Sequence, residues 1–143
     1  MDSIATHCQP VEPIERIGPQ DWIWLIRFAM RAITVLAGAK RDFARLSPKQ
    51  ILARNSVSGQ ADPELLRRIA YVLPRVAKRL PSRTDCLVQA LAGQSWLAAE
   101  GIGSQIRFGV QPNGRQQFEA HAWLVCQNRI LTGGDVAARY APL

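Results

Sequence analysis

Of the three cysteines in the chain, Cys8, Cys86 and Cys126, Cys86 stands where thiol chemistry is favoured. A thiol is a poor nucleophile until it ionises, and a helix N-terminus favours the thiolate through the partial positive charge of its unpaired N–H groups. The residues after Thr84 keep helical spacing, so Thr84 is expected to cap a helix with Cys86 in its first turn. There the backbone N–H of Cys86 also becomes a candidate oxyanion donor. The bland alternative is a small buried apolar residue, the commonest fate of a free cysteine. A base must reach the sulfur, and His121 is the candidate. It lies between Ala120 and Ala122 in an alternating segment, whereas His7 falls in an irregular arm. A lone strand histidine is more often structural; paired with Cys86 it becomes a coherent base. Asp135 is the only acidic residue after His121, hence the default acceptor for the second ring proton. Its alternative role is to cap a short helix over Val136 to Tyr140.

Other chemistries find little support. The chain has no Cys-x-x-Cys, no His-x-x-x-His and no carboxylate-rich loop, so no metal site is expected. Gly101-Ile102-Gly103 follows a helical segment, the reverse of the strand-to-helix setting that a nucleotide loop needs. No cofactor is expected.

The elements that must position these residues can be read from periodicity. Residues 1–18 form an irregular arm with Pro10 and Pro13. Asp21 is a candidate N-cap for a helix from Trp22 to about Leu46, with a wide apolar stripe of Trp22, Ile23, Leu25, Ile26, Ala29, Met30, Ile33, Leu36 and Ala37. Arg27 and Arg31 interrupt the apolar run from Trp22 to Ala39 and argue against a membrane span. A packed amphipathic helix is the main expectation, and peripheral membrane contact by residues 22–39 the lesser one. Ser47-Pro48 and Asp62-Pro63 each open a further helix, to about Arg54 and to Leu80, with a kink expected at Pro74. In the helix after Thr84, Leu87, Ala90, Leu91, Ser95, Leu97 and Ala98 are the expected buried face, and Gly101 the stop. Then the period changes to two: strands over 105–110 and 118–126 with a turn at Asn113-Gly114, then a turn at Asn128 and a third strand from Ile130. The expected class is α+β, basic helices followed by a catalytic helix packed on a small antiparallel meander.

Composition bounds the setting. At 143 residues, 48% hydrophobic and 20% charged, a single domain over 1–143 with its own core is expected. An odd number of scattered cysteines and no visible secretory signal point to a reducing, cytoplasmic location. The net charge of +7 is concentrated in residues 22–83, where 13 Lys and Arg face only Asp42, Asp62 and Glu64. That is either a solvated basic surface or a dock for an acidic peptide, protein or membrane. Phe43 and Tyr71 are the only aromatics among the basic residues of 40–83, so nucleic acid is not an expected partner.

The run Pro81-Ser-Arg-Thr-Asp-Cys86-Leu-Val-Gln-Ala-Leu-Ala, followed by Gly101-Ile102, Ile106-Arg-Phe-Gly109-Val110 and Phe118-Glu-Ala-His121-Ala-Trp123-Leu-Val, closely resembles the lasso-peptide leader peptidases. These are bacterial maturation enzymes with a transglutaminase-like, papain-related core. Residues 135–143 are similar to that family's ending, and the basic lead-in from about residue 20 is similar in character. The resemblance implies Cys86 as nucleophile and His121 as base, with Asp135 the best match for the third member. It implies removal of the leader from a ribosomally made precursor, after which a separate ATP-using lasso cyclase closes the ring. It also implies a leader-recognition element. The first 80 residues read as helices rather than as such an element, so a separate recognition protein is the expected partner. A transglutaminase-like acyl transferase using the same pair, and a non-enzymatic adaptor working through residues 22–83, are the competing readings.

Overall fold

The structure, a computed structural model, describes residues 8–56, 60–80, 85–113, 117–133 and 141–142. Strand β1 (Gln9–Pro10) and a 3-10 turn (Pro19–Asp21) precede α1 (Trp22–Arg45), α2 (Pro48–Ala53), α3 (Pro63–Arg79) and α4 (Cys86–Ala99). Strands β2 (Gln105–Asn113), β3 (Gln117–Cys126), β4 (Arg129–Thr132) and β5 (Ala141–Pro142) follow.

The helix starts follow local chemistry. Ser47 and Gln50 form a reciprocal capping box, with Ser47 Oγ accepting the Gln50 N–H at 3.3 Å and Gln50 Oε1 accepting the Ser47 N–H at 2.9 Å. Asp62 Oδ1 accepts the Glu64 N–H at 3.0 Å ahead of α3. Each places a proline at N1, where its missing N–H costs nothing. Two expected caps differ. The Asp21 carboxylate makes no cap bond; it accepts instead from the Gly18 N–H at 2.8 Å and the Trp24 indole at 3.0 Å, closing the 3-10 turn. Asp85, not Thr84, is the N-cap residue of α4, and Thr84 lies outside the described residues. Helix α3 runs through Pro74 as one element and ends at Arg79.

The expected meander is present, with β3 antiparallel to both β2 and β4, but β2 runs past Val110 to Asn113, which pairs with Gln117 instead of turning, and Gly114 of the expected turn lies outside the described residues. The two-residue turn between β3 and β4 places both Gln127 (φ 53°) and Asn128 (φ 62°) in the left-handed region, matching the right-handed twist of the strands it joins. The sheet is nevertheless mixed and wider than the meander, in the order β1-β4-β3-β2-β5. Part of the irregular arm is a strand: β1 runs parallel to β4, with the Gln9 N–H donating to Asn128 O and the Val11 N–H to Ile130 O, both at 3.1 Å. A two-residue strand carries no periodicity, so only the backbone acceptors of β4 reveal it.

Helix α4 lies between the sheet on one side and α1 and α3 on the other. That position changes the expected burial. Val88, Ala92, Gly93, Gln94 and Trp96 are buried along with Ala90, Leu91 and Leu97, while Leu87 and Ser95 are half-buried and Ala98 is exposed. Gly93 permits the close approach of β3, since a Cβ there would stand 2.5 Å from Leu124 Cδ2. The buried Gln94 amide is held by Asn55 Oδ1 at 3.1 Å and Ser104 O at 3.2 Å. Asn55 also accepts the Ile106 N–H at 2.9 Å, which ties the segment after α2 to the start of β2. An aromatic chain, Trp24–Phe28–Trp96, locks α1 onto α4, with ring centroids 5.6 and 5.2 Å apart.

The expected stripe of α1 is only partly a core stripe. Ala32, Val35, Leu36 and Ala39 are buried and Leu25, Phe28 and Ala29 half-buried, but Trp22, Ile23, Ile26, Met30 and Ile33 face outward. The helix packs through one side against α3 and α4, and nothing described covers the other.

Candidate active site

Cys86 is the first residue of α4, as the sequence predicts in substance. The first α4 hydrogen bond runs from the Gln89 N–H to Asp85 O at 3.0 Å, and the Asp85 side chain caps none of the N–H groups before it. The Cys86 side chain is half-buried and its Sγ accepts the backbone N–H of Ala122 at 3.4 Å. That donor is available for a topological reason. Strand β4 ends at Thr132, opposite Leu124, so among the described residues no strand lies beside the β3 edge beyond Leu124, and the start of α4 meets it there.

The residue before that donor is His121. Folding therefore brings the sulfur to the backbone of the strand that carries the imidazole, although Cys86 and Ala122 are 36 positions apart. Cys86 and His121 line the same cavity, about 660 Å³ in volume. The imidazole stacks at 25° on Trp123, centroids 6.3 Å apart, and its Nε2 is shielded from solvent. Gly133, at φ +72°, lies close to it: a Cβ there would lie 2.7 Å from Nε2 and 3.2 Å from both Ala122 O and Trp123 Cβ. Only glycine offers both that backbone conformation and that space.

Asp135, the third sequence candidate, lies outside the described residues, as does the expected helix over 136–140. The described chain leads to Gly133, against the shielded edge of the imidazole.

Several cavity residues were not singled out from sequence. Helix α3 contributes Tyr71, Pro74, Arg75 and Lys78, and the arm contributes Pro10 to Ile14. Arg75 packs its guanidinium 3.8 Å above the Tyr71 ring and donates to Tyr71 O at 2.8 Å. Arg67 reaches the carbonyls of Glu12 and Pro13, both at 3.4 Å, and so holds the arm against α3. Gln89 also lines the cavity; its spacing of three from Cys86 was the available signal, because such residues share a helix face. With Arg67, Arg75 and Lys78 against Glu12, the charged lining is mainly positive. No group of three or more metal-ligating side chains occurs among the described residues.

Cys126 is the contrasting thiol. It is buried on β3 with its Sγ 3.5 Å from Gly103 O, and burial pushes its ionisation above the ordinary thiol range. It is a packing residue.

A family model described as the transglutaminase-like superfamily matches residues 29–143, which takes in most of α1, both following helices and the whole of α4 and the sheet beyond β1. No curated protein and no solved structure matches the chain. The superfamily is one of cysteine-based enzymes, and its α+β arrangement of helices on a small sheet is the one described above. The chain belongs to the transglutaminase-like superfamily.

Proposed function

We propose that the protein is a cysteine peptidase that removes the leader from a ribosomally synthesised lasso-peptide precursor. The observation that carries the catalytic part is the shared cavity: Cys86 at a helix N-terminus and His121 on the adjoining strand both open into it. With Nε2 of His121 turned to Gly133, Nδ1 is the nitrogen assigned to the thiol. In the reaction, Nδ1 takes the thiol proton and Sγ attacks the scissile carbonyl carbon. The oxyanion is received by the Cys86 N–H at the start of α4, where the Asp85 side chain makes no cap bond. The imidazolium then gives its proton to the leaving amine, which departs as the mature peptide's N-terminus and leaves a thioester. Water adds to that thioester, His121 taking its proton, and the leader leaves as a free acid while the thiol reforms. Asp135, two residues beyond the glycine at Nε2, is the proposed orienting group.

The substrate part rests on the resemblance of the Cys86 and His121 motifs, and on a cavity open enough for an extended chain. Its positive lining suits a peptide carrying acidic residues. A separate leader-recognition protein and an ATP-using lasso cyclase are the proposed partners. The test is incubation of the purified chain with its precursor, with and without the recognition protein, followed by mass spectrometry. The expected product is a leader with a free carboxylate; a leader joined to an added amine identifies an acyl transferase instead. Cys86→Ala is expected to remove all cleavage, and cleavage retained in that variant overturns the proposal.

A further inference from the structure

Helix α1 carries a second surface with its own chemistry. Trp22, Ile23, Ile26, Met30 and Ile33 are 59, 72, 53, 65 and 48% exposed. At about 100° per residue these side chains fall within an arc of about 100°. The adjoining outward arc holds the exposed Arg27, Arg31, Arg41 and Arg45. The only acidic residue of α1, Asp42, is paired with Arg54 at 3.1 Å. The outward side is thus an apolar stripe beside a cationic one. It continues into an apolar groove of about 270 Å³ between α1 and α3, lined by Trp22, Ile26, Val72 and Val76 with Arg75 and Arg79.

We propose that this face of α1 docks on an anionic membrane surface, the helix lying in the plane of the headgroups. The helix is long and apolar enough to span a bilayer by length and composition. Its other side, however, is committed to the core through Ala32, Val35, Leu36 and Ala39, so it can lie on a membrane but not cross one. Apolar side chains at the acyl boundary and arginines at the headgroups are what such a surface requires. A second copy of the chain seated on the same stripe brings two cationic strips together, which disfavours self-association there. Tyr71 and Arg75 line both the groove and the cavity of Cys86, so docking places the cavity beside the lipid surface. The inference stands apart from the peptidase reading, because it uses neither Cys86 nor His121.

The test is co-sedimentation of the full chain with vesicles of phosphatidylcholine alone and of phosphatidylcholine mixed with phosphatidylglycerol, at about 0.15 M salt. Binding is expected only to the mixed vesicles. The double variant Ile26→Ser with Met30→Ser leaves the net charge unchanged and is expected to weaken partitioning on the order of tenfold or more, with its thermal unfolding unaltered. Arg27→Gln with Arg31→Gln is expected to weaken it and flatten its salt dependence. Cys86→Ala is expected to bind like the parent. Equal sedimentation of parent and the serine variant overturns the proposal, since adhesion then reflects net charge alone. So does absence of binding to mixed vesicles, whether the face is then found buried in a dimer by ultracentrifugation or on an acidic protein.

Discussion

Helices α4 and α1 are both rich in apolar residues, and the fold uses them in opposite ways. Helix α4 has no charged residue and is buried nearly all round, between the sheet and the other helices. Helix α1 is buried along one side only and keeps a second apolar stripe exposed beside four arginines. The inner helix carries the candidate nucleophile: its first residue is Cys86, and its packing against β3 sets where the sulfur meets the Ala122 N–H. The outer helix contributes shape and surface. Substitutions in α4 and its contacts should therefore affect stability or activity strongly, whereas those on the outward side of α1 should spare both.

The largest effect is expected at the start of α4. Cys86→Ala and His121→Ala should each lower the rate of precursor cleavage by at least about a thousandfold. Circular dichroism and thermal unfolding should show the fold kept in Cys86→Ala. An equal loss of fold would make Cys86 structural and erase its contrast with Cys126.

Next come the contacts of the inner helix. Leu97→Ala, at a fully buried position, should cost about 2–5 kcal/mol in denaturant unfolding. Gly93→Ala should cost about 1–3 kcal/mol, because its Cβ would drive Leu124 aside. Gly133→Ala forces both an unfavourable φ and a clash with the imidazole, and should cost about 1–3 kcal/mol. It should also lower cleavage more than Gly93→Ala does, which separates damage at the site from damage to the core. By contrast, Met30→Ser on the outer helix should change stability by no more than about 0.5 kcal/mol. A larger loss there would mean that the stripe packs within the molecule.

Two titrations sharpen the comparison at its small end. Burial raises the Cys126 thiol, so its stabilising contribution is complete below the unfolded thiol's range and is lost as pH rises towards the folded value. Cys126→Ala should flatten the alkaline arm of a stability–pH profile. Asp21 is lowered from 3.8 by the Trp24 indole and then the Gly18 N–H. Its contribution is present above the unfolded carboxylate's range and lost as pH falls through the folded value. Asp21→Asn should therefore reduce the acid dependence slightly, at the half-buried entry to the outer helix.

Much of this organisation was legible in the chain. The caps Ser47 and Asp62, the prolines after them, and the change of period at Gln105 locate the elements closely, because they act through neighbouring residues. Cys86 and His121 could be named as candidates by residue type and local setting, and the structure adds that both line one cavity. The parallel pairing of β1, the role of Asn55 in holding Gln94 and Ile106, and the cavity wall supplied by Tyr71, Arg75 and Lys78 were not, since each joins segments distant in sequence. Periodicity also could not tell which of the two apolar sides of α1 is covered. Both look alike until α3 and α4 are in place.

Local sequence, then, determined where helices begin, where strands alternate, and which sulfur and imidazole were candidates for chemistry, because capping, turn and propensity effects act within a few residues. Tertiary structure alone decided that the start of α4 meets β3 just past the residues paired with β4. It also decided that Gly133 backs His121 and that one face of α1 stays outside. Those outcomes depend on which surfaces meet, and no short stretch of chain carries that information.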